Sequence, residues 1–137
     1  NAPALGMTVI PLTVLSKQDI PGVLKRHWKD IDAVWLIPDR TVISESIVGY
    51  IIKAALHEGI PTIGYNRFFY ENGAALAFIL DYEKIGGQTA GLVERVLSGK
   101  PCEAESPVFT TWLNRHIMEH LGMALPESLP ETVEVGP

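Results

Sequence analysis

The sequence predicts an α/β fold: a parallel sheet with helices on both faces. Three observations carry this expectation. Apolar, β-branched runs alternate with segments of 3.6-residue periodicity along the whole chain. Several of those runs are continuously apolar, the pattern of strands covered on both sides. Turn-forming residues fall where the period changes, at Pro38-Asp39, Gly59-Ile60-Pro61, Gly99-Lys100-Pro101 and Gly122.

Met7 to Leu15 is apolar and β-branched and reads as a first strand, with Pro11 pointing to an edge or an irregularity. From Asp19, a candidate N-cap, Ile20, Val23, Leu24, His27, Trp28 and Ile31 recur at helical spacing. Ala33 to Ile37 is a continuous apolar strand ending at Pro38-Asp39. A second helix follows, with the stripe Ile43, Ile47, Tyr50, Ile51, Ala54 and Ala55; Glu45 suits its positive N-terminus, and Gly59 with Pro61 stops it. Thr62 to Gly64 is a short strand opening into an aromatic loop. Ala74 to Leu80 is another buried strand, and Asp81 caps a helix whose stripe is Ile85, Thr89, Leu92, Val93 and Val96. Pro107 to Leu113 is a last strand, and Asn114 caps a short helix reaching Leu121. Residues 1–125 thus form a single α/β domain, while 126–137, rich in Pro and Glu, make a loosely held tail.

At 137 residues the chain is the size of one domain and long enough to bury a core. With 47% hydrophobic and 20% charged residues it is no disordered polyelectrolyte. A net charge of −5 argues against nucleic-acid or anionic-membrane partners, which require a basic face. The one basic cluster, Lys25-Arg26-His27-Trp28-Lys29, is followed at once by Asp30 and Asp32 and reads as a solvated helix face. One cysteine, Cys102, excludes an internal disulfide framework and any CxxC motif. No apolar run reaches transmembrane length. The sequence opens without a charged and then apolar leader, so no signal peptide is expected within it; that suits a cytoplasmic protein, a mature exported one or a cut chain.

In parallel α/β sheets ligands bind where strand carboxyl ends lead into helices. Asp39, Asn66 and Asp81 each follow a strand, where a carboxylate or amide can receive a ligand amine or hydroxyl. The competing reading makes Asp39 and Asp81 helix caps alone. Tyr65, Phe68, Phe69 and Tyr70 cluster without period 2 or 3.6, which suits stacking on a planar or apolar ligand, or else a packed loop. His116-Ile117-Met118-Glu119-His120 spells H-x-x-E-H, but a third protein ligand is not evident, so no metal is expected and the histidines read as exposed. Gly86 to Gly91 lacks the lysine of a phosphate loop, and its small residues allow close helix packing. Cys102 has no histidine near it in sequence. No catalytic set and no cofactor emerge.

Several segments, in order, resemble one family. Asp32-Ala33-Val34-Trp35-Leu36-Ile37-Pro38-Asp39 resembles the D-A-aromatic-hydrophobic-P-x-D strand of ABC-transporter substrate-binding proteins, a family with tryptophan- and tyrosine-binding members. Gly59 to Gly64 is similar to its I-P-V strand, and Gly73-Ala74-Ala75-Leu76-Ala77 to its G-A-L-A step. Asp81-Tyr82-Glu83-Lys84-Ile85-Gly86-Gly87-Gln88-Thr89-Ala90 resembles its D-Y-x-x-[LI]-G-x-Q-T-A helix start. Leu97 to Pro101, Asn114 to Gly122 and Pro126 to Leu129 continue in register. The resemblance implies a Rossmann-like lobe of a type I periplasmic-binding protein, one of two lobes that close on a small molecule delivered to a membrane permease. It implies an exported, often lipid-anchored protein, periplasmic or extracytoplasmic, that performs no chemistry. Its ligand contacts carry over to Asp39 and Thr41, Tyr65 and Asn66, and Asp81 and Tyr82. Arg40 stands where the family usually has Asn, and Tyr65-Asn66 where it has Ser-Asp, departures that leave room for a ligand other than the family's usual ones. Family members run considerably longer, so the chain is expected to be a fragment or a shortened relative lacking the first lobe.

The leading expectation is therefore a small-molecule-binding component of an ABC-type transport system, with an aromatic amino acid as candidate ligand. The alternatives are a ligand-sensing effector domain of a regulator or signalling protein, and a small α/β enzyme using Asp39 or Asp81 as acid or base. A homodimer is expected, with exchange of C-terminal strand-helix units as one route. Ile85, Leu92, Val93, Val96, Ile117, Met118 and Leu121 would lack cover, and the strands at Ala74 and Val108 would have unpaired edges.

Overall fold

The computed structural model describes residues 2–136. Five strands form one sheet in the order β1-β2-β3-β4-β5: Val34–Trp35, Thr62–Gly64, Leu76–Leu80, Phe109–Asn114 and Val133–Gly136. The helices are α1 (Ile20–His27), α2 (Glu45–His57), α3 (Arg67–Glu71), α4 (Tyr82–Leu97) and α5 (Arg115–His120). β1, β2 and β3 run parallel, β4 is antiparallel to β3, and β5 is parallel to β4. The sheet is mixed rather than wholly parallel, because α4 and the loop after it return the chain beside β3 instead of crossing over.

The core follows from helical and strand periodicity together. Ile20 and Leu24 of α1 and Val48, Ile51, Ile52 and Ala55 of α2 pack with Val34, Leu36, Ile60, Phe69 and Ala74. The buried stripe of α2 is turned from the expected one, so that Ile43 and Tyr50 are exposed. Asp19 stands at the start of α1, but its carboxylate accepts from the Ser16 N–H and hydroxyl instead of capping the helix. Gly59, with φ of 73°, lets the chain leave α2, and the Ile60 N–H donates back to the Ala55 carbonyl.

Register assigns the two faces of the sheet. Gly64, Ala77, Trp112 and Glu134 form one row across β2 to β5. The adjacent row, Trp35, Ile63, Leu76, Leu113 and Val135, spans all five strands and faces the other way. Val34 and Leu36 meet the helical core, whereas Trp35 and Ile37 are 61% and 59% exposed. The run from Ala33 to Ile37 is thus an edge strand covered on one face, not a strand buried on both.

Three further differences from the sequence expectation stand out. Residues 7–15 form no strand; Leu12 and Val14 rest against the core in an extended segment without sheet partners. The segment 126–137, expected to be loosely held, supplies β5, which is in register with Thr111 to Asn114. Because β3 lies between β2 and β4, and β4 between β3 and β5, the expected open edges at Ala74 and Val108 do not exist; the edges are β1 and β5.

Candidate functional site

The expected contact residues occupy the carboxyl ends of the three parallel strands, in the order β1, β2, β3. After β1, Asp39 Oδ1 accepts from the Thr41 N–H at 2.7 Å, while the Asp39 carbonyl accepts from Val42 and Ile43. Asp39 therefore organises a turn rather than capping α2, where Ser44 stands at the N-cap. Asp39 is exposed and Thr41 half-buried, so the free carboxylate oxygen of Asp39 faces solvent.

After β2, Asn66 Oδ1 accepts from the Phe69 N–H at 3.3 Å and caps the short helix α3. Gly64 precedes it by necessity, since a Cβ there would stand 2.2 Å from Phe69 Cβ. The aromatic loop divides in two. Phe69 and Tyr70 are buried, Phe69 packing against Tyr65 with ring centroids 4.5 Å apart and edge-on to Phe68 at 5.7 Å. These rings are mainly a packed loop, while Tyr65, Asn66 and Phe68 stay partly accessible. Burial raises the hydroxyl pKa of both Tyr65 and Tyr70.

After β3, Asp81 Oδ1 accepts from the Lys84 N–H at 3.0 Å, and Oδ2 pairs with the Lys84 ammonium at 3.0 Å. The Lys84 backbone N–H first, and its side chain second, hold the Asp81 carboxyl below its ordinary value of 3.8. Both oxygens thus have partners within the first turn of α4. Tyr82 is 76% exposed beside it. β3 runs three residues past Ala77, the residue level with Gly64, so Asp81, the fourth, stands about 13 Å beyond the end of β2 along the strand. The topology gathers all six residues on one edge of the sheet, but Asp81 and Tyr82 stand on a projecting β3–β4 ribbon, away from Tyr65 and Asn66.

A cluster absent from the expected set lies beside Asn66. The Arg67 guanidinium carbon sits 4.8 Å from the Trp112 ring centroid, and Tyr70 meets the same ring edge-on at 5.2 Å. Arg67 and Tyr70 are three apart on α3, which the sequence displays. Trp112 joins them only through the register of β4, which it does not display. On α5, His116 and His120 are both exposed, and among the described residues no three ligand-type side chains gather as a metal site. No helix among the described residues is long and apolar enough to cross a membrane.

The arrangement is that of an α/β lobe whose polar loops lie at the carboxyl ends of parallel strands. Residues 1–134 match the family described as "ABC transporter substrate binding protein", and the chain belongs to it. Among solved structures it is similar to a conserved domain protein from Vibrio cholerae, with 27% identity and a TM-score of 0.66, covering 92% of this chain and 43% of that one. It is also similar to an ABC domain from Streptococcus pneumoniae in complex with L-Trp, with 22% identity, a TM-score of 0.70, and 98% and 47% of the two chains covered. A third is the ligand-free, open structure of a substrate-binding protein with adhesive properties from Clostridium difficile, with 23% identity, a TM-score of 0.72, and 98% and 46% covered. The last two similarities establish the fold. The chain spans less than half the length of each of these structures. No curated protein matches the sequence.

Proposed function

We propose that this chain is one lobe of the substrate-binding component of an ABC-type transport system. It holds a small molecule at the carboxyl ends of β1, β2 and β3 and passes it, without chemistry, to a membrane permease. The observation that carries the reading is the family match over residues 1–134 on a chain whose candidate contacts share one edge of the sheet. Asp39, Thr41, Tyr65 and Asn66 form the part of the contact set nearest the end of β2, with Asp81 and Tyr82 on the ribbon beyond. An aromatic amino acid is the proposed ligand, supported by Tyr65 and Phe68 at the rim and by the L-Trp complex among its structural relatives. The working location is periplasmic or extracytoplasmic, in keeping with the family.

The assembly proposal rests on α4, none of whose side chains is buried. A homodimer that covers it, through contacts within Ala74 to Leu121, completes the reading for the isolated chain. A thermal-shift screen of the full-length protein tests the ligand class. Free amino acids and small aromatic acids should raise the melting temperature; stabilisation by sugars or phosphorylated compounds alone would reject an aromatic ligand.

A further inference from the structure

We infer that Arg67, held over the Trp112 ring, is the carboxylate-binding group of this site, and that the ligand is therefore a carboxylate-bearing small molecule with an apolar body. The inference deepens the binding reading above and rests on it. Arg67 directly follows Asn66 at the end of β2. Its guanidinium reaches across the row Gly64–Ala77–Trp112, where Gly64 has no side chain and Ala77 is small and fully buried. Trp112 is held in turn by the edge of Tyr70, itself buried. A cation over an indole is attracted by the ring while the N–H fork stays available, which pre-organises it for a planar, bidentate acceptor.

No carboxylate among the described residues supplies that acceptor. Glu71 lies one helical turn along α3, and Glu134 is the register partner of Trp112 on β5, yet Arg67 makes no ion pair among the described residues. Asp81, the nearest strand-end carboxylate along the ribbon, has both oxygens engaged by Lys84. Two residues beyond the Ala77–Trp112 pair, Ile79 and Thr110 are register partners on the same face and half-buried, and they extend that face with an apolar and a hydroxyl-bearing side chain. The roughly 13 Å between the level of Trp112 and Asp81 far exceeds the separation of the two charges in a free amino acid.

Matched acid and amine probes test this on the full-length protein by calorimetry: L-tryptophan, indole-3-propionate and tryptamine, L-tyrosine and tyramine, L-leucine and isoamylamine. The acids of at least one set should bind, with the matching amine at least tenfold weaker. Arg67→Gln should weaken the acids about 30-fold or more and leave weak amine binding unchanged, and Arg67→Lys should restore part of the loss. A purely structural role for Arg67 would lower the ligand-free melting temperature and weaken acid and amine alike. Amines that bind as well as their acids, or acids indifferent to Arg67→Gln, overturn the assignment while the binding reading stands. Failure of every probe, on a wild-type protein with an intact unfolding transition, rejects the assignment together with the aromatic-ligand proposal.

Discussion

Thr62 is 1% exposed in β2, and its hydroxyl is one of the few buried side-chain groups among the described residues without a hydrogen-bond partner. A buried, unpaired hydroxyl carries a desolvation penalty without a bond to offset it. Thr62→Val keeps the branched shape and removes the penalty, so it should raise the unfolding free energy by about 1 kcal/mol. Urea denaturation checks this: the midpoint should rise with an unchanged slope, and a fall would mean that a hidden partner exists. At this scale the sequence is legible where a polar residue serves its own neighbours. Asn66, Asp81 and Asn114 each accept from the N–H three residues on, as an N-cap does. It is illegible where the partner is distant. Nothing local to Phe69 or Tyr70 distinguishes a packed ring from a ligand platform; the collision avoided at Gly64 and the arrival of Trp112 decide it.

At the scale of elements, α4 shows how periodicity can be right and burial wrong. The helix forms, but of its expected stripe only Ile85 and Leu92 are half-buried while Thr89, Val93 and Val96 stay exposed, because the helix stands at the end of a ribbon rather than over the sheet. Its attachment is polar. Gln88 donates to the Ser106 carbonyl and accepts from the Val108 N–H, each at 3.1 Å, and Arg95 pairs with Glu105. Gln88→Ala should leave global stability nearly unchanged but release the 99–108 loop. Hydrogen exchange at the Val108 amide should accelerate at least tenfold while amides of β4 further from the loop keep their rates. Equal acceleration throughout β4 would show that Gln88 holds the ribbon itself. The strand expected at 7–15 fails for a related reason: its residues are apolar and β-branched, but a strand needs a neighbour, and composition does not report pairing.

At the scale of the molecule, two apolar surfaces lack cover. One is the β1 end of the sheet, where Trp35 and Ile37 are exposed and Ile63 and Leu76 of the Trp35 row are only half-buried. The other is the outer stripe of α4, ending at Leu97, 81% exposed. The α/β order and the family motifs were readable because each is local or periodic. The bare face was not, since it depends on which helices the chain places over the sheet. Exposed apolar area of this kind, spread over a sheet face and a 16-residue helix, exceeds what scattered surface side chains explain. β3 and β4 are both interior strands, so the faces rather than whole open edges at Ala74 and Val108 are the larger surface offered to a second copy. The isolated chain should therefore form a two-fold dimer at micromolar concentration, in which each copy's α4 gains cover from its partner. Light scattering should give about twice the monomer mass of 15.0 kDa. Val93→Glu with Val96→Glu should shift it toward monomer without loss of helical signal, because neither side chain is buried within its own chain. A monomeric wild type that unfolds in a single sharp transition would show that the chain tolerates both surfaces unaided, and the assembly proposal would fall.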